Sequence, residues 1–264
     1  MPTHEQRSKL LNNIVNYFKD DIRVLGVFVS GSFAENTTDE YSDLDVRIVL
    51  EEDFLKEAIE DMEKFPKAWG NLLYNELPYE FNNCCISHFD NFLKAEVLYY
   101  TISDLTPSPW HKNISIYKDT NNLIKNLKDN SQIIDFKPNV NEVNRCINDF
   151  YAAIHETYRR LKRGELFFAI RLLEKAKEKL INLWDYIKEN PTRQWYKLER
   201  RIEPEGMNLL MNTFPTYDER AIYVNMIKII ESFEITKEKL NKKYKLNRII
   251  ENDTKILGFI KNIN

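Results

Sequence analysis

The chain opens with apolar residues at helical spacing. Between residues 5 and 20, Leu10, Leu11, Ile14, Val15 and Phe18 recur at i, i+3 and i+4, which predicts an amphipathic helix. The pattern then shortens. Val24 to Ser30 (VLGVFVS) is β-branched and aromatic and runs into Gly31, as a strand entering a tight turn would, and Leu44 to Leu50 (LDVRIVL) predicts the next strand. Phe54 to Phe65 returns to helical spacing and stops before Pro66, which disfavours helical geometry in the residue ahead of it. Strand-like runs follow at Leu72 to Leu77, Tyr79 to Phe89, Phe92 to Thr101 and Asn113 to Tyr117. Pro107, Pro109 and Pro138 punctuate the chain after that, and beyond them the pattern is almost wholly helical.

Helices are expected from Asn141 to Lys162 and from Glu165 to Glu189, with a break at Asn190-Pro191 and further helices near 192–202, 216–243 and 246–262. Gly164, following Lys162 and Arg163, reads as a helix C-cap with cations at the negative end of the dipole. The change of pattern predicts an α+β fold in two domains. Residues 1–138 would form a mixed β-sheet flanked by helices, and residues 139–264 an all-α helical bundle.

Composition narrows the function classes. The 264 residues are 43% hydrophobic and 30% charged, with 38 Lys and Arg against 41 Asp and Glu for a net charge of -3. That balance lacks the basic footprint on which nucleic-acid binding rests, so no nucleic-acid partner is expected. No apolar run reaches the ~20 residues that span a bilayer, and the first residues are too polar for a signal peptide, so a cytoplasmic protein without a membrane partner is expected. Cys84, Cys85 and Cys146 have neither disulfide-framework nor zinc-site spacing and read as small buried hydrophobes. Glycine is scarce, six in all, which makes each position informative.

The informative stretch is Val29-Ser30-Gly31-Ser32-Phe33-Ala34, followed after a polar loop by Tyr41-Ser42-Asp43-Leu44-Asp45-Val46-Arg47-Ile48. Alternation along the second strand puts Asp43, Asp45 and Arg47 on one side and Leu44, Val46, Ile48 and Leu50 on the other. Two close carboxylates repel unless a cation lies between them, and a hard, all-oxygen site suits Mg²⁺. Gly31 and Ser32, where strand gives way to turn, can present backbone N–H groups and a hydroxyl to a phosphate.

Strand, Gly-Ser, about a dozen residues and then Asp-x-Asp opening an apolar-alternating strand resembles the nucleotidyltransferase (polymerase-β-like) superfamily. Within it, Gly31-Ser32-Phe33 with Tyr41-Ser42-Asp43 is similar to the bacterial lincosamide and aminoglycoside nucleotidyltransferases, and Leu161-Lys162-Arg163-Gly164-Glu165 before a long helix is similar to their second domain. The resemblance implies that residues 1–138 are a catalytic domain binding nucleotide and metal, and that residues 139–264 complete an acceptor cleft. It implies transfer of AMP from ATP, with one or two Mg²⁺ ions, to a hydroxyl of an aminoglycoside or lincosamide, releasing pyrophosphate.

The same resemblance gives residues their roles. Asp43 and Asp45 would be catalytic metal ligands, Gly31, Ser32 and Arg47 would bind nucleotide, and Glu96, the acid inside the Phe92 to Thr101 run, would be the catalytic base. Glu96 reads otherwise as a solvent-facing edge-strand residue beside Lys94. A polycationic acceptor would meet acids and aromatic faces in the helical half, where Tyr151, Glu156 and Glu165 are the candidates, with Asp149 and Tyr158 beside them. The run Lys197 to Arg201 reads as a solvated helix face. Two departures from the relatives bear on substrate. Phe33 stands where many aminoglycoside-modifying members carry a basic residue, and Asp45 where several carry Glu. A protein or RNA acceptor, or a non-catalytic nucleotide-binding interaction protein, are the alternatives, and both a monomer and a homodimer stay open.

Overall fold

The computed structural model describes residues 2–246 and 250–261. The chain divides into two units, residues 1–135 and 136–264. The first is built on a mixed sheet and the second on helices, an α+β architecture.

In the first unit, α1 (His4–Phe18) starts at a capping box in which the Gln6 N–H donates to Thr3 Oγ1 and the Thr3 N–H to Gln6 Oε1. Its stripe of Leu10, Leu11, Ile14 and Phe18 is buried. The strands are β1 (Val24–Ser30), β2 (Leu44–Leu50), β3 (Leu72–Glu76), β4 (Cys84–Phe89), β5 (Lys94–Tyr100) and β6 (Ser115–Asp119), and they lie in the order β3-β4-β5-β2-β1-β6. All neighbours pair antiparallel except β2 and β5, which run parallel with Asp45 beside Glu96.

Leu44, Val46 and Ile48 from β2 and Ala95, Val97 and Tyr99 from β5 are fully buried on one face, where they pack with α1 and with α3 (Glu52–Asp61). Each such large side chain removed from water contributes on the order of 1.5–3 kcal/mol, so the register of β2 is firmly set. The opposite face is apolar at one end only, where Phe28, Val49, Ile114, Ile124 and Leu127 cluster. At its other end lie the charged residues of β2 and β5.

The second unit comprises α5 (Val140–Lys162), α6 (Leu166–Ile187), α7 (Pro204–Met211), α8 (Glu219–Tyr244) and α9 (Ile250–Lys261). Helix α5 starts from an Asn139/Glu142 capping box. It stops at Gly164, whose φ of 74° lets the Gly164 N–H reach Leu161 O and the Glu165 N–H reach Arg160 O, a Schellman cap. At the centre of the bundle Phe150 stacks on Phe233 with centroids 3.8 Å apart, among Ile147, Ile154, Leu173, Leu180, Met226 and Ile230.

Several boundaries differ from the sequence expectations. The strand expected over Tyr79 to Phe89 begins only at Cys84, because Pro78 opens a loop, and the strand expected at 113–117 lies at Ser115–Asp119. The helix expected near 192–202 is a single 3₁₀ turn, Leu198–Arg200, because Gln194 and Lys197 have positive φ. The helix expected from 216 starts after its Asp218 cap, at Glu219. Two helices carry no expectation, α4 (Leu123–Gln132) and α7. Of the helix expected over 246–262, residues 247–249 and 262 lie outside the described residues. The three cysteines are free and buried. No helix among the described residues is long and apolar enough to cross a membrane.

Candidate active site

The charged end of the sheet follows from alternation. Because Leu44 and Val46 are drawn into the core, Asp43, Asp45 and Arg47 project from the other face, and in β5 the burial of Ala95 and Val97 does the same for Lys94 and Glu96. The sheet register then decides which charges meet. Lys94 Nζ lies 2.8 Å from Asp43 Oδ2, and an Arg47 terminal nitrogen donates to Glu96 Oε1 at 3.2 Å. Between these two ion pairs Asp45 stands directly beside Glu96 across the parallel pairing, a like-charge pair. The Asp45 carboxylate makes no hydrogen bond or ion pair among the described residues.

The electrostatics record that imbalance. Burial, and after it the charge of Asp43, pushes the Asp45 carboxyl up to about 6. Arg47 and Lys94 oppose the rise and Glu96 adds to it. Burial alone would lower the Lys94 ammonium, but its hydrogen bond to Asp43 and the charges of Asp43, Glu96 and Asp45 leave it raised. A strand face with three carboxylates against two cations is short of positive charge, which is the condition that a further cation relieves.

β1 closes one side. Ser30 pairs with Asp45, and the chain then enters a single helical turn, α2 (Gly31–Ala34), with Gly31 at φ 65°. Glycine is required there twice over, by that backbone conformation and by contact, since a Cβ at residue 31 would sit 2.0 Å from Asp45 Oδ2. Ser32 is buried within the turn, and its carbonyl accepts the Thr37 N–H. Gly31, Ser32, Asp43, Asp45, Arg47 and Glu96 thus share one end of one sheet. Glu96 lies in an interior strand, not at a sheet edge.

The loop that delivers Asp43 is anchored from behind. Arg7, 2% exposed, donates through Nε to Ser42 O at 2.9 Å and through a terminal nitrogen to Glu40 O at 3.4 Å. Lys94 and Arg7 were invisible as site residues in the motif. Alternation in β5 carried the signal for Lys94, two positions before Glu96, whereas Arg7 looks in sequence like any polar position of an amphipathic helix. Of the other acids near β5, Asp104 caps a 3₁₀ turn through Thr101, and Asp90 accepts from Asn71.

The three acceptor candidates lie in the helical unit. Tyr151 is a core residue, packed edge-on against Phe233 and accepting from Lys237 Nζ through its hydroxyl at 3.1 Å. Glu156 and Glu165 both bind Arg160, at 2.6 and 2.8 Å, and Glu156 also pairs with Arg159. Asp149 pairs with Lys179.

Mg²⁺ fits the donor set on the sheet face. The carboxylates are hard oxygen donors, and the Asp45 carboxylate is partly buried, unpaired and raised in pKa by burial and then by the charge of Asp43. Among the described residues no three His, Cys, Asp or Glu side chains converge as a ready-made cage. Mg²⁺ commonly needs none, being held by one or two carboxylates together with substrate phosphates.

The family model described as streptomycin adenylyltransferase matches residues 4–263. Among solved structures, the chain is similar to an aminoglycoside 6-adenyltransferase from Bacillus subtilis, at 14% identity and a TM-score of 0.47 over 100% of both chains. It is also similar to a nucleotidyltransferase-like protein from Exiguobacterium sibiricum 255-15, at 12% identity and a TM-score of 0.47, covering 91% of this chain and 78% of that one. No curated protein matches the chain in sequence.

Proposed function

The chain belongs to the streptomycin adenylyltransferase family, and from that premise we propose that it moves AMP from ATP onto a hydroxyl of an aminoglycoside, releasing pyrophosphate. The observation that carries the reading is Asp45, set against Gly31, beside Asp43 and Glu96, with no cation of its own.

In this reading residues 1–138 hold the nucleotide, and residues 139–264 contribute acceptor-binding side chains. Asp43 and Asp45 hold Mg²⁺, which when bound neutralises charge on the triphosphate. Gly31 and Ser32 lie against the phosphates, the glycine letting them approach the backbone and the serine adding a hydroxyl donor. Glu96 accepts the proton of the acceptor hydroxyl as that oxygen attacks the α-phosphorus. The bond from the α-phosphorus to the bridging oxygen breaks, and pyrophosphate leaves with the electron pair. Arg47 orients Glu96 and adds positive charge beside the developing negative charge. Glu156 on α5 and Glu165 at the start of α6 provide acids for a polycationic acceptor, which would compete with Arg160 for them, whereas Tyr151, in the bundle core, offers it no face. The supply of ATP places the reaction in the cytoplasm.

A panel of aminoglycosides and lincosamides, each incubated with Mg²⁺ and one of the four nucleoside triphosphates and followed by mass spectrometry, tests this reading. An aminoglycoside carrying one AMP is the expected product. A nucleotidylated lincosamide alone would move the acceptor class, and no nucleotidylated drug of either class would overturn the drug-modifying function.

A further inference from the structure

The Lys94–Asp43 ion pair joins the first residue of β5 to the carboxylate that begins the Asp-x-Asp motif, and it holds one of the two carboxylates proposed for the metal. Its neighbours differ in how they are satisfied. Glu96 has Arg47, Asp43 has Lys94, and Asp45 has neither. A divalent ion shared by Asp43 and Asp45 would have to share the Asp43 carboxylate with Lys94 Nζ, 2.8 Å from Oδ2, and two cations on one carboxylate repel each other. The ammonium therefore competes with the ion whenever no other anion is near. A triphosphate is such an anion, and Lys94 sits on a four-carbon stem, 39% exposed, that can turn to meet it.

Resting on the adenylyltransferase reading of this site, we propose that Lys94 is a positioning residue that holds Asp43 in the nucleotide-free protein and couples entry of the divalent ion to entry of the triphosphate. Without nucleotide, Lys94 occupies Asp43 and the ion binds poorly. With nucleotide, Lys94 transfers to the phosphates and leaves Asp43 to the ion. Ion and nucleotide then arrive together, and the free protein does not collect divalent ions. An ordinary surface ion pair has no such dependence.

Mn²⁺ serves as the probe. It is titrated into nucleotide-free protein, with the hydrated ion read by electron paramagnetic resonance. Separately, the preformed complex of Mn²⁺ with α,β-methylene-ATP, which cannot be cleaved between the α and β phosphates, is titrated by calorimetry. Lys94→Met should bind Mn²⁺ alone about tenfold more tightly than the wild type, because the competitor is gone. It should bind the Mn²⁺–nucleotide complex about tenfold more weakly, because the ammonium that meets the phosphates is gone. A merely structural role would move both affinities the same way, and that result, or no change in either, overturns the proposal. Asp45→Asn in the Lys94→Met background separates the two layers. Loss of Mn²⁺ binding keeps the ion at the Asp43/Asp45 site, so a failure of opposite movement then falls on Lys94 alone. Survival of Mn²⁺ binding puts the ion elsewhere and overturns both the Lys94 proposal and the site reading beneath it.

Discussion

Two aspartates, one in each unit, are drawn out of water and both have raised carboxyl pKa values, yet their surroundings are opposite. Asp185, on α6, is 6% exposed, pairs with Arg201 and accepts the Arg193 N–H. Burial raises it, while the Arg193 N–H, Arg201 and Lys188 all pull the other way. For Asp45 the contribution after burial is a second carboxylate, Asp43, and the carboxyl reaches about 6. A buried acid that its neighbours neutralise is structural. A buried acid that its neighbours repel stores unfavourable free energy, which folding tolerates and a bound cation can release. The difference separates the candidate active site from the bundle's internal ion pairs without reference to any motif.

That contrast can be broken or sharpened by substitution. The largest effect is expected from Asp43→Asn, which removes one of the two carboxylates and should lower pyrophosphate release by about 10³-fold or more, with an unchanged circular dichroism spectrum. Glu96→Gln comes next. Loss of the proton acceptor should lower kcat by roughly 10²–10⁴-fold while KM for ATP moves little, as steady-state kinetics would show. Gly31→Ala should cost about 2 kcal/mol in denaturant unfolding, from positive φ and the overlap with Asp45 Oδ2, and most of the activity with it. Gly164→Ala has the positive φ without the overlap, since nothing lies within 4 Å of its Cβ position. It should cost about 1 kcal/mol and leave turnover intact.

Alternation in β2 was readable because each apolar residue there has a full burial to gain, so Asp43, Asp45 and Arg47 could be placed on one face before any coordinates. Glu96 was readable as the acid inside an apolar run. Lys94 was not, because its partner depends on the parallel pairing of β2 with β5, across chain segments about 50 residues apart. Among the helices, α5 announced itself through its long stripe and caps. Helix α4, LIKNLKDNSQ, buries only Ile124, Leu127 and Ser131, too little apolar periodicity to register beside the prolines before it. The stretch 192–202 failed in the other direction. Its composition suits a helix, but left-handed residues at Gln194 and Lys197 bend it so that Arg201 can reach Asp185.

The pH dependence follows from the same contrast. Because the folded-state carboxyl of Asp45 is raised above its ordinary value of 3.8, the folded protein holds more protons than the unfolded chain between about 4 and 6. Ionisation of Asp45 therefore lowers stability as pH rises through that window, and at pH 7 the charged residue costs on the order of 2 kcal/mol.

The most direct test sets Asp45→Asn beside Asp185→Asn at pH 7, with pyrophosphate release and thermal unfolding measured on both. The opposed surroundings predict a crossing. Asp45→Asn should lose turnover and melt several degrees above the wild type. Asp185→Asn should keep turnover and melt several degrees below it, because Arg201 is left without its counter-charge, a loss of about 2–3 kcal/mol. Turnover retained in Asp45→Asn, or a lower melting temperature there, would contradict the assignment of Asp45 as the uncompensated acid of the active site.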